Sequence, residues 1–236
     1  MTSTREDVLD RGSRTVGSAL GAVFGTVAAV RRARALHPRG DVVQATLRRL
    51  PHPPTGVAWL DETADARVSV RFSRSAGLPA PLPDVLGLAV AVPLPDGGRG
   101  DLLLSTAGSR PVLRHLLLPR RDPLGSAYTC LVPYTSDRGP VMLAALPATA
   151  TSDRPSEGGV LRLAWANPRG PWQPFAELVL GGATGDDPAL DLDPVLHPLP
   201  GLRVPAALAR LREPAYARSR QQRHAAGDAS AELSER

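Results

Sequence analysis

Short apolar runs, each cut off after a few residues by glycine, proline or aspartate, succeed one another from residue 42 to residue 180, and this punctuation restricts the chain to a fold of short strands. The runs cover 42–47, 56–59, 67–72, 87–92, 101–105, 127–134, 141–146, 160–165 and 175–180. The 22 glycines and 25 prolines, together about a fifth of the chain, supply the turns between them. Segments of this kind predict an antiparallel β-barrel or sandwich. The clearest is 67–72, where Val68, Val70 and Phe72 alternate with Arg67, Ser69 and Arg71. A period of two sends apolar side chains to one face of a strand and puts the arginines and serines, Ser73 included, on the other.

The ends of the chain read differently. Residues 1–14 are polar and charged, as expected of a flexible N-terminal arm. A helix is predicted over 15–35, ending near His37-Pro38 because proline disfavours a helical predecessor. Within it 15–30 carries no charge, but these 16 residues fall short of the roughly 20 needed to span a bilayer. Gly17, Gly21 and Gly25 strip one helical face of side chains, which lets another backbone approach closely. The expectation is a docked helix, with weak peripheral membrane contact through 15–35 as a second reading. Helical pattern returns over 205–224, and the polar 225–236 reads as a disordered tail. With no internal repeat and no linker, 15–224 is expected to form a single domain of the α+β class.

At 236 residues, 42% hydrophobic and 22% charged, the chain can bury a core and is not wholly disordered. All 28 basic residues are arginine, for a net charge of +5. The arginine clusters near residues 31–39 and 210–223 lack interleaved aromatics to stack on bases, so no nucleic-acid partner is expected. The single cysteine, Cys130, excludes an intrachain disulfide framework and fits a reducing, cytoplasmic compartment. His52, His115, His197 and His224 show no metal-ligand spacing with carboxylates or cysteine. No P-loop, Rossmann or nucleophile-elbow pattern is present.

One series of motifs carries chemistry. Arg34-x-x-His37-x-x-Gly40 is followed by Arg71-Phe72-Ser73, then by Asp84-x-x-Gly87-x-Ala89-Val90 and Asp101-Leu102. Further on come Asp193-Pro194, Pro200-Gly201-Leu202 and Arg212-x-x-x-Tyr216. In this order, over about residues 31–224, the series resembles the haem catalases. The resemblance implies a catalase-like antiparallel barrel with an N-terminal helix and a C-terminal helical segment. It also implies a ferric haem cofactor, ligated by Tyr216 and tuned by Arg212, with Arg34 and Arg71 on the propionates. His37 would be the distal acid and base, oriented by Ser73. An i,i+4 arginine can favour the phenolate form of a tyrosine, the form that ligates ferric iron.

The pattern fails at particular positions. The family's distal asparagine has no counterpart; Ser105 and Thr106 occupy its place, with Thr106 the candidate weak assistant. Leu86 stands where the family has an arginine, and Pro214 interrupts the Arg212–Tyr216 turn. A short chain without the asparagine suits a peroxidase acting on hydrogen peroxide or organic hydroperoxides better than fast dismutation. The alternative is a non-catalytic relative on the same fold that binds haem, lipid or protein.

Overall fold

A computed structural model of the chain describes residues 40–149, 154–185 and 192–205. Nine strands run in chain order: β1 (Gly40–Arg49), β2 (Ala66–Arg74), β3 (Leu86–Pro93), β4 (Arg99–Thr106), β5 (Tyr128–Thr129), β6 (Tyr134–Ser136), β7 (Gly139–Thr149), β8 (Gly159–Ala166) and β9 (Gln173–Gly185). Neighbours pair antiparallel in the order β5-β4-β3-β2-β1-β9-β8-β7-β6, and β5 also pairs with β7. That last pairing closes eight strands into a barrel, while β6 continues along the β7 edge beyond β5.

Period-two alternation decides what fills the ring. Val68, Val70 and Phe72 of β2, Leu88 and Val90 of β3, Leu102 and Leu104 of β4, Leu161 and Leu163 of β8 and Leu178 of β9 belong to one buried cluster. An eight-stranded barrel is about wide enough for its own side chains to fill it, so this interior is a packed core. Removing one such leucine to alanine costs about 2–5 kcal/mol, because the barrel wall cannot collapse onto the void. At the end where β1 leaves and β9 enters, Trp59 packs edge-on to Phe175 with ring centroids 5.2 Å apart, and Arg49 lies over the Trp59 ring at 5.2 Å.

The expectation of an α+β chain is overturned. Among the described residues only two three-residue 3-10 turns, Leu113–His115 and Pro155–Glu157, are helical, so the described fold is all-β. Runs of alternating residues cut by proline and glycine leave no stretch long enough for an amphipathic helix. The helices predicted over 15–35 and 205–224 lie outside the described residues, Pro205 apart.

Two predicted strands also differ. Residues 56–59 form a turn: Gly56 has φ +75°, and the Asp61 carboxylate accepts the Thr55 and Gly56 N–H groups at 2.7 Å each. The predicted strand over 127–134 is split into β5 and β6, because Leu131 sits at φ 60° and Pro133 has no N–H to give.

Candidate functional site

The register of β2, β3 and β4 aligns their outward positions in rows. Ser73, Gly87 and Ser105 make one row, Arg71, Ala89 and Leu103 the next, and Ser69, Ala91 and Asp101 the third. In these three rows the central strand offers this face nothing larger than a methyl group. Gly87 leaves room for the Ser73 hydroxyl: a Cβ there would lie 2.5 Å from the Ser73 Oγ and would turn it away. Ser73 and Ser105 flank it, about 10 Å apart across two strand spacings. Arg71 stands at the border of the floor, next to Val42 of β1, and its burial lowers the guanidinium from its ordinary value while leaving it charged.

The other end of the floor is covered. Leu192 packs on Ala89 and Ala91, both buried, with Leu103 beside them. The segment carrying Leu192 is held by Asp101, which is fully buried. Its Oδ2 accepts the Asp193 N–H at 2.6 Å and lies 3.1 Å from His197 Nδ1, and its Oδ1 lies 2.9 Å from Arg99 Nε. The matched motifs Asp101-Leu102 and Asp193-Pro194 thus meet in space in a structural staple, and the half-buried Ser73–Gly87–Ser105 row lies outside it.

Of the residues predicted for the site, Arg71 and Ser73 share this outer face, with one residue between them on β2. Thr106 does not join them. It shares the inward parity of Leu102 and Leu104, it is fully buried, and its hydroxyl donates to Leu118 O at 2.7 Å while accepting the Leu86 N–H at 3.1 Å. Its one proton is committed to that carbonyl. The hydroxyl that does face outward beside Gly87 is Ser105, and the alternation of Leu102 and Leu104 was the sequence signal for it. His37, Arg34, Arg212 and Tyr216 lie outside the described residues.

Beyond the part covered by Leu192, this face offers Gly87 between Ser73 and Ser105, with the Arg71 guanidinium in the next row, and a bare backbone bordered by a cation suits the edge of a flat apolar group that carries anionic substituents. A haem is such a group, and because the barrel interior is filled it would lie outside the barrel. Among the described residues no group of three or more His, Cys, Asp and Glu side chains could hold a metal ion. A separate cavity of about 820 Å3 opens between Ala107–Ser109, Pro119–Asp122 and Leu146–Pro147, and none of the predicted site residues lines it.

Among solved structures the chain is similar to one described as a bacterial catalase, with a TM-score of 0.52 and 14% identity. The match covers 78% of this chain and 56% of that one, so the chain spans little more than half of the catalase. No protein-family profile matches the chain, and no curated protein matches it in sequence. At this identity the likeness establishes the fold: the barrel is catalase-like. Among the described residues no helix is long and apolar enough to cross a membrane.

Proposed function

We propose that this chain is a haem-binding protein on a catalase-like barrel, with peroxidase activity toward hydrogen peroxide or an organic hydroperoxide. The observation that carries the reading is the juxtaposition of Arg71, Ser73 and the side-chain-free Gly87 on one outer face. Arg71 and Arg34 would pair with the propionates, and Tyr216, supported by Arg212, would be the protein ligand to iron. When bound, the haem supplies the redox chemistry of ferric iron with peroxide. His37 would take a proton from peroxide and return it to the departing oxygen, held in orientation by Ser73.

One observation favours a second reading, haem binding without appreciable turnover. The Thr106 proton is committed to Leu118 on the inner side of the barrel, and Ser105 is too short to repeat an amide's reach.

The test is a haemin titration of the full chain followed by visible absorbance. Wild type is expected to shift the spectrum at near-stoichiometric haemin, and Tyr216→Phe to lose the ferric tyrosinate signature. Arg71→Ala should weaken binding by about tenfold or more, the worth of a charge-assisted hydrogen bond. Gly87→Val should prevent binding by filling the floor, and Arg162→Ala, on β8, should change nothing. A free-haemin spectrum throughout would sink the proposal. If haemin binds, peroxide-dependent dye oxidation lost in His37→Ala at unchanged affinity supports the enzyme; no oxidation by wild type selects the second reading.

A further inference from the structure

We infer that two fastened loop tips, at 108–113 and 167–172, form a docking knob for an anionic membrane surface. The first loop follows β4 and the second joins β8 to β9. Side chains hold them together. Arg114 donates from Nη1 to Asn167 O at 3.3 Å and from Nη2 to Gly170 O at 3.1 Å. Trp172 donates its Nε1–H to Ser109 O at 2.7 Å, and the Arg114 guanidinium lies 4.2 Å from the indole centroid. Gly108 closes the first loop on itself through its N–H to Leu113 O at 3.0 Å, and a Cβ there would collide with Leu113.

Arg114 is 1% exposed, has no carboxylate partner among the described residues, and leaves its Nε without an acceptor. A buried guanidinium without a counter-ion is an expensive interior group. Here its hydrogen bonds serve to make two surface turns into one rigid unit, which argues that the surface they present has a use.

That surface is apolar at the tip and cationic at the sides. Val112 is 75% exposed, the highest value for any large hydrophobic residue among those described, and Leu113 is 41% exposed. Arg110 and Arg169 are exposed, and neither loop contains an acidic residue. Some surface arginines are engaged by carboxylates, Arg48 and Arg162 by Glu177 and Arg203 by Asp137, whereas Arg67, Arg120, Arg121 and Arg138 are exposed like Arg110 and Arg169 but do not flank an exposed apolar tip of this kind. Arg110 and Arg169 make no ion pair among the described residues. A stable protein interface draws on about 20–30 residues on each partner, whereas the two turns supply twelve between them. A bilayer needs only that the tips enter: aliphatic side chains go below the headgroups, an indole lies at their level, and guanidiniums meet lipid phosphates.

The inference is independent of the haem reading and of membrane contact through 15–35. The full chain is sedimented with vesicles of phosphatidylcholine alone and of phosphatidylcholine and phosphatidylglycerol in equal parts. It is expected to pellet with the anionic vesicles only, and less as salt is raised. Arg110→Ser and Arg169→Ser should each lower the partition coefficient about fivefold, and Val112→Ser with Leu113→Ser should lower it further. Should the combined variant unfold, Val112→Ser alone, at a three-quarters exposed residue, gives the same reading. No pelleting with anionic vesicles overturns the inference, as does pelleting that these substitutions leave unchanged. Concentration-dependent self-association abolished by Leu113→Ser, with no vesicle binding, overturns it in favour of a second copy of the chain.

Discussion

Asp101 Oδ2 and His197 Nδ1 lie 3.1 Å apart on the outer side of the barrel, and this pair fastens to β4 a segment that follows it by 96 residues. Asp101 also gives its backbone N–H to His197 O at 2.9 Å, so the contact is made from both main chain and side chain. Asp101→Ala would leave Arg99 and the Asp193 N–H facing a void. Because the Arg99 and His197 side chains are 34% and 38% exposed, water takes up part of the loss, and the cost is about 1–3 kcal/mol, which for a chain of this size lowers the melting temperature by about 5 °C. Thermal unfolding of the variant checks this. A change of less than about 1 kcal/mol would mean that Leu199 and Leu202, both buried in the core, hold the segment without it.

Thr106 gives a second prediction, because its hydroxyl joins β3 to the strand-like stretch at Leu118. Thr106→Val keeps the shape but strands one buried N–H and one carbonyl, at about 2 kcal/mol. Thr106→Ser keeps both bonds and should cost under about 1 kcal/mol. Urea unfolding of the two variants measures the difference, and equal losses would assign the residue's worth to its methyl group.

Arg114→Lys tests the clamp between the loop tips. A lysine keeps the charge but cannot place two donors on Asn167 O and Gly170 O while stacking on Trp172. The Gly170 N–H, bonded to Asn167 O at 2.9 Å, should then exchange with solvent about tenfold faster or more, as the turn opens locally. Unchanged exchange would show that the turn holds itself.

Cys130 sets a pH dependence. Its sulfur accepts the Leu143 N–H at 3.3 Å and touches the Met142 sulfur at 3.9 Å, and burial pushes the thiol up to about 12. In the unfolded chain a cysteine ionises near pH 8.5. Above that pH the unfolded state gives up a proton that the folded state keeps, so this group's contribution to stability falls as pH rises from about 8.5 toward 12. Cys130→Ala should flatten the fall in urea midpoint over that range. Native wild type should also react with iodoacetamide at pH 8 at least about a hundredfold more slowly than free cysteine.

Strand positions were legible wherever alternation was strict, as in 67–72, which lies within β2 (Ala66–Arg74). The stretch 56–59 deceived because a turn that buries Val57 and Trp59 shows the same spacing as a strand; only Gly56 and the distant acceptor Asp61 distinguish them. The resemblance in the motifs led to the catalase-like barrel. It did not reveal which of Ser105 and Thr106 faces outward, although parity with Leu102 and Leu104 decides it. Asp101–His197 and Arg114–Trp172 were not legible at all, because nothing in a linear sequence signals that residues so far apart will meet.

The barrel is completed by a strand of two residues. Tyr128 and Thr129 pair with Thr106 and Ser105 on one side and with Ala145 and Ala144 on the other, and these are the pairs through which β5 joins β4 to β7. Such a ring behaves as a bracelet with a clasp. The long hairpins β1–β2, β2–β3 and β8–β9 can form from local encounters, whereas the clasp must wait until both halves are in place. It is also where the finished ring would first come apart, and the loop tip at 108–113 begins two residues past its β4 side. Whatever takes hold of that tip therefore takes hold of the molecule next to its fastening.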